Sequence, residues 1–212
     1  MAPRATLESD KKGKRDKREE LLRTGVEIFT EKGFHNTPLD ELVAAAGVPK
    51  GSFAYYFGSK DAYTLAVIEL YAEYFNKKLD RILCNQALDP LDRVEAFLNE
   101  ATEGMKRFEF RRGCLVGNLG QELGALNENF RQALLATMRG WQRRLHQCLL
   151  EAQQRGDIDN HIEVEGLSSF FWYAWEGAVL GAKLEKSQLP LDLVRKTFLD
   201  YLGAMRRTSK DG

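Results

Sequence analysis

The stretch Thr37-Pro-Leu-Asp-Glu-Leu-Val-Ala-Ala-Ala-Gly-Val-Pro-Lys-Gly-Ser-Phe-Ala-Tyr-Tyr-Phe-Gly-Ser-Lys60 decides the fold of this chain. Asn36 and Thr37 offer N-cap oxygens before Pro38, and Leu39, Leu42, Val43 and Ala46 mark one apolar face that stops at Gly47. Val48 and Pro49 form a turn, Lys50 to Phe57 predict a second short helix, and Ser59 caps a long one starting near Lys60. Ala45, Ala46 and Gly47 are small, as two helices crossing at a tight turn require, while Leu42, Val48 and Phe53 can bury between them. Lys50, Ser52, Tyr55 and Tyr56 are left on or near the exposed side. This is the pattern of a helix-turn-helix, whose second helix offers its N-terminal residues to base edges while flanking hydroxyls and amines hold phosphates.

Upstream, Leu21, Leu22, Val26 and Phe29 recur at about one helical turn and Gly33 follows as a stop, which predicts a first helix from about Asp16 to Lys32. Residues 1–15 read as a basic, flexible tail, with Lys11, Lys12, Lys14, Arg15, Lys17 and Arg18 crowding that end of the chain. A local cluster of this kind attracts phosphate even though the whole chain balances 31 basic against 31 acidic residues. Residues 16–60 then form the DNA-binding head.

Downstream, residues 61–212 read as a helical sensing and dimerisation body. The pattern is broken near 87–90, 112–113, 124–127, 156–161 and 187–190, which delimits about five further helices, and no sustained period-two strand interrupts them. The fold class is all-α. The last two helices, about Glu163–Leu184 and Leu191–Arg206, hold Phe170, Phe171, Trp172, Tyr173, Trp175, Val179 and Leu180, more apolar bulk than one core stripe requires. They fit either an intramolecular core or a homodimer interface, and Gly177, Ala178, Gly181 and Ala182 would permit the close approach of a four-helix interface.

Several function classes are disfavoured. No run approaches the roughly 18 apolar residues of a membrane span, and the polar start is unlike a signal peptide, so a soluble, cytoplasmic protein is expected. Cys84, Cys114 and Cys148 are widely separated and odd in number, which predicts reduced thiols rather than a disulfide framework. His35, His146 and His161 have no metal-ligand spacing, and neither a nucleophile elbow nor a phosphate-binding glycine loop occurs, so no metal, cofactor or enzymatic activity is expected. Asn118 and Glu122 follow Cys114 at helical spacing, where surface polarity accounts for them. A helical adaptor for protein partners is the rival reading, and it leaves Lys50, Tyr55 and Lys60 unexplained.

The segment Lys17 to Tyr63 resembles the tetracycline-repressor (TetR) family of bacterial regulators, in which the Ala-Gly-Val turn, Lys-Gly-Ser, an aromatic pair, Phe and Ser-Lys recur. The resemblance implies a homodimeric repressor of a palindromic operator in double-stranded DNA, with recognition helices roughly 34 Å apart. It further implies that Lys50, Gly51 and Ser52 face bases or the adjacent backbone. Tyr55 and Tyr56 would contact phosphates or thymine methyls, Lys60 would grip phosphate, and Thr37 would add a hydroxyl contact. Ala54 departs from the pattern, since many relatives carry an aromatic there.

Arg111-Arg-Gly-Cys-Leu-Val-Gly-Asn-Leu-Gly-Gln-Glu-Leu123 is similar to a segment of a TetR subgroup that includes electrophile-sensing and acrylate-responsive repressors. That resemblance places Cys114 at a helix start, where the helix dipole and Arg111 and Arg112 would favour a reactive thiolate. The alternative inducer is a reversible small molecule lodged among Trp141, Phe110, Phe171, Trp172, Tyr173 and Trp175, residues that plain core packing would also explain.

Overall fold

The computed structural model describes the backbone of residues 4–204 and the side chains of residues 17–204. Those residues form α1 (Arg4–Lys32), α2 (Leu39–Ala45), α3 (Lys50–Phe57), α4 (Lys60–Leu83), α5 (Pro90–Arg107), α6 (Leu115–Leu123), α7 (Glu128–Arg155), α8 (Val164–Glu185) and α9 (Leu189–Ala204), with no strand among them. The first helix starts at Arg4 rather than near Asp16. The side chains of Lys11, Lys12, Lys14 and Arg15 lie outside the described residues.

Local chemistry explains most helix ends. Ser59 Oγ accepts the Ala62 N–H at 3.1 Å to open α4, and Asn127 does the same for α7 from the N–H groups of Asn129 and Phe130. Gly156, at φ 82°, ends α7 in the left-handed region. Pro90 opens α5, and Pro190 lies in the first turn of α9. One expected cap is absent. Pro38 holds the N-cap position of α2 without a side-chain bond, and Thr37 is fully buried, its hydroxyl donating to the Gly33 carbonyl at 2.6 Å.

The head core is built around Tyr63. Its ring meets Phe53 at 5.1 Å, Phe57 at 5.0 Å and Phe29 at 6.0 Å, so one α4 side chain touches both α1 and α3. The phenol donates to the Leu21 carbonyl at 2.7 Å, and burial pushes its acidity far down. Gly25 makes the α1–α4 crossing possible: a Cβ there would lie 2.3 Å from Tyr63 Oη and 2.6 Å from Val67 Cγ2. The turn between α2 and α3 uses Gly47 at φ 62°.

The body is a bundle in which α7 packs on α4, α5, α6 and α8, and α9 packs on α8 and α5. An aromatic cluster fills it: Trp141 sits 4.5 Å from Phe75 and 5.1 Å from Trp172, with Phe97 5.5 Å from Trp172 and Phe171 4.7 Å from Phe198. The only buried arginine among the described residues, Arg93, ties the far end of the bundle together through Glu151 at 2.7 Å and the carbonyls of Leu83 and Leu88. The apolar excess of α8 divides cleanly. Phe171, Trp172, Trp175 and Val179 are buried, whereas Phe170, Tyr173 and Leu180 are exposed.

Replacing Gly25 by Ala should overpack the α1–α4 crossing and destabilise the protein by about 1–3 kcal/mol. Urea unfolding monitored by circular dichroism checks this; unchanged stability would mean that the crossing relaxes at no cost.

Candidate nucleic-acid interface and sensing cavity

Helix α3 buries Phe53 and turns the opposite side outward. Lys50, Gly51, Ala54 and Tyr55 are exposed, Tyr55 to 70%, while Ser52 and Tyr56 are half-buried. An α-helix with its side chains is about 10–12 Å across, a match for the width of the major groove of B-DNA. Lys50 pairs with Asp40 of α2 at 2.5 Å, and both groups are exposed, so the pair costs little to exchange for a phosphate. Tyr55 and Tyr56 meet edge to face at 5.1 Å, which holds the outer ring at a fixed angle. Nothing lies within 4 Å of where a Cβ at Gly51 would sit, so the backbone there can be approached closely.

Two residues expected to touch DNA, the buried Thr37 and the half-buried Lys60, make hydrogen bonds within the protein. Thr37 has no exposed surface, and its hydroxyl is committed to Gly33. Lys60 donates to the Phe34 carbonyl at 2.7 Å and lies 3.9 Å from the centre of the Phe34 ring; burial lowers its pKa. Both bind the turn between α1 and α2, and neither points into the face formed by Lys50 and Tyr55.

In the body, a cavity of about 230 Å³ lies between α1, α4, α5 and α8, under the start of α6. Its wall includes Tyr71, Phe75, Lys78, Arg112, Cys114, Trp172, Trp175 and Glu176. Of the aromatic residues considered for an inducer pocket, Trp172 and Trp175 line it, whereas Trp141 is buried in the core and, like Phe110 and Phe171, is not part of its wall. The indole N–H of Trp172 is buried and without a partner among the described residues, as is that of Trp141. Lys78 Nζ stands 3.4 Å from Glu100, and burial lowers its pKa. A wider groove of about 730 Å³, between α6, α7, α8 and the end of α1, shares Cys114, Glu176 and Val179 with the cavity and reaches the exposed Tyr173 and Leu180.

Cys114 is the N-cap of α6, where the segment was expected to place it, yet its chemistry is the reverse of that expected. It is 9% exposed, accepts from the Tyr71 hydroxyl at 3.8 Å and is hydrogen-bonded to Glu176. Burial, reinforced by the Glu176 carboxyl, drives the thiol pKa well up and disfavours the thiolate. The two arginines are turned elsewhere: Arg111 pairs with Glu109, and Arg112 pairs with Glu27 at 3.2 Å while stacked on Phe108. Glu176 itself is raised by burial to about 7.

Sequence reasoning missed Tyr71, Lys78 and Glu176 in the cavity wall. Only Glu176 carried a signal, as a lone carboxyl within the apolar run of α8. Asn118 and Glu122, read as surface polarity, are half-buried and bonded to the end of α1 and the turn after it. Among the described residues no group of His, Cys, Asp and Glu could hold a metal, and no helix is long and apolar enough to cross a membrane.

A head that exposes one short helix and a bundle that carries a small cavity have the architecture of a ligand-responsive DNA-binding regulator. Residues 21–67 match the bacterial regulatory proteins of the tetR family, and residues 90–198 match the tetracyclin repressor-like C-terminal domain. The chain is 48% identical over 178 residues to the transcriptional regulator AcuR of Cereibacter sphaeroides, covering 84% of this chain and 81% of that one. It is 31% identical over 177 residues to the transcriptional repressor NemR of Escherichia coli, covering 84% and 89%. The crystal structure of a regulatory protein TetR from Rhodobacter sphaeroides superposes with a TM-score of 0.84 at 46% identity, covering 86% of this chain and 97% of that one. The chain belongs to the TetR family of DNA-binding transcriptional regulators, which are not enzymes.

The raised pKa of Glu176 has a signed consequence. In the unfolded chain the carboxyl loses its proton near 4.5, whereas in the fold it keeps it to about 7. Its contribution is therefore present at acid pH and is lost as pH rises between those values. Glu176→Gln should remove that decline and exceed the wild type in stability above pH 7; parallel urea midpoints for the two proteins from pH 5 to 8 would contradict the assignment.

Proposed function

We propose that this protein is a homodimeric repressor that reads a palindromic operator through α3 and releases it when a small molecule occupies the body. The observation that carries the reading is the exposed face of Lys50, Gly51 and Tyr55 on a helix whose other side is locked into the head core. Lys50 is placed for phosphate or a base edge, Tyr55 for phosphate or a thymine methyl, and Gly51 for close backbone approach. Ser52 and Tyr56, half-buried beside them, support the rim of the contact.

Dimerisation through α8 and α9 is supported by their exposed apolar residues. Phe170, Tyr173, Gly177, Leu180 and Leu184 recur at helical spacing along α8, and Leu189, Leu193 and Tyr201 do so along α9. A stripe of this length left in water is unusual for a monomer. Two copies joined face to face would bury it in a four-helix contact and set the separation of the two heads.

The cavity beside Cys114 supports occupancy by a small inducer over thiolate chemistry, because its wall is mainly apolar and the buried sulfur disfavours a charge. Its volume is below the usual range for drug-sized ligands, which favours a small molecule. An inducer shifts the heads only by its preference for the conformation that does not fit the operator.

Selection of binding sites from random DNA should return a palindrome whose half-sites are spaced by whole helical turns. On the selected duplex, Lys50→Ala should weaken binding about equally across related sequences if the contact is to phosphate, with a salt slope shallower by about one unit. Unchanged affinity and slope would remove Lys50 from the interface, and failure to select any site would remove the DNA reading of α3.

A further inference from the structure

Helix α6 touches the cavity with one end and the head with the other. Cys114, Asn118 and Glu122 follow one another at intervals of four, which places them along a single face of the helix. Cys114 borders the cavity. One turn on, the Asn118 amide donates to the carbonyls of Phe29 and Thr30 at 3.0 and 2.8 Å, holding the last turn of α1. A further turn on, the Glu122 carboxylate accepts the backbone N–H groups of Phe34 and His35 at 2.9 and 2.8 Å. It occupies the space beside Gly33, where a Cβ would lie 1.6 Å from Glu122 Oε1.

The same peptide is held from its other side. Lys60 of α4 donates to the Phe34 carbonyl at 2.7 Å and covers the Phe34 ring, which also leans on Phe130 of α7 at 5.9 Å. A carboxylate on the N–H side and an ammonium on the carbonyl side therefore bracket the turn between α1 and α2. Charge-assisted bonds of this kind are roughly twice as strong as neutral ones and are directional. The turn leads through Pro38 into α2, which packs on α1 and α3, so the bracketed peptide adjoins the helix-turn-helix.

We propose that Glu122 is the positioning residue that couples the cavity to the DNA-reading head, through its paired bonds to the Phe34 and His35 amides. The proposal rests on the regulatory reading above. By linkage, a coupling that lets a cavity ligand alter operator affinity lets the operator alter that ligand's affinity by the same factor, and the conformational shift behind it changes access to Cys114 on the cavity wall.

The test reads Cys114 from the DNA side. The full-length protein is treated with N-ethylmaleimide, with and without the selected operator duplex, and the rate of Cys114 modification is followed by peptide mass spectrometry. In the wild type the operator should change that rate about fivefold or more, the lower range of ordinary coupling. In Glu122→Ala the ratio should fall to about one, while the rate without DNA and the helix content stay as in the wild type. Hydrogen exchange at Phe34 and His35 should accelerate. Glu122→Gln keeps the side-chain volume and one acceptor oxygen, so it carries the test if the alanine variant does not fold, and it should reduce the ratio. A wild-type ratio retained in the variants would overturn the role of Glu122 and leave the regulatory reading standing. A wild-type Cys114 that ignores the operator would overturn the link between cavity and head, and this proposal with it.

Discussion

The crossing of α1 and α4 at Gly25 and Tyr63 governs how the two parts of the molecule stand to each other. Because Gly25 has no side chain, the Tyr63 phenol reaches across to the Leu21 carbonyl, and its ring gathers Phe29, Phe53 and Phe57 into one core. Both helices continue out of the head: α1 packs on α6 and α4 packs on α5 and α7. The DNA-reading unit is thus not a bead on a linker. It is the outer end of two long helices whose other ends belong to the sensing bundle, so any change in the bundle that tilts either helix reaches α3 directly.

Burial decides the chemistry of the body more than sequence neighbours do. Arg111 and Arg112 stand next to Cys114 in the chain and yet do nothing for its thiolate, since they pair with Glu109 and Glu27 and leave the sulfur with Tyr71 and Glu176. A helix N-terminus stabilises an anion only when the site is not otherwise dry and is not facing another carboxyl. Glu176, kept protonated to near neutrality, offers the cavity a polar group without a fixed charge.

The helix-turn-helix was legible because its constraints are local: Gly47 for the left-handed turn, small residues at the crossing, Ser59 as a cap and Phe53 as the inward residue. Helix breaks in the body were legible for the same reason. What periodicity could not separate was the fate of side chains that suit two environments. Thr37 and Lys60 have the chemistry of phosphate contacts, and in the fold they donate to the carbonyls of Gly33 and Phe34. Trp141 and Trp172 occupy equivalent-looking helical positions, and only the packing of α7 against α8 puts one behind the other. Asn118 and Glu122 look like solvent-facing polarity until the end of α1 is brought against them, a contact made across more than 80 residues of chain.

The placement of the tryptophans has an optical consequence. All three indoles of the chain, Trp141, Trp172 and Trp175, are buried in the body near the cavity, and the head contains none. Tryptophan emission, excited apart from the tyrosines of the head, therefore comes from the sensing bundle, from apolar surroundings and with two ring nitrogens that lack a partner among the described residues. A molecule that enters the cavity would alter the polarity seen by Trp172 and Trp175 without any label. The protein thus carries its indole reporters in the part that senses, packed against the α4 residues Tyr71 and Phe75 through which that part continues toward the head.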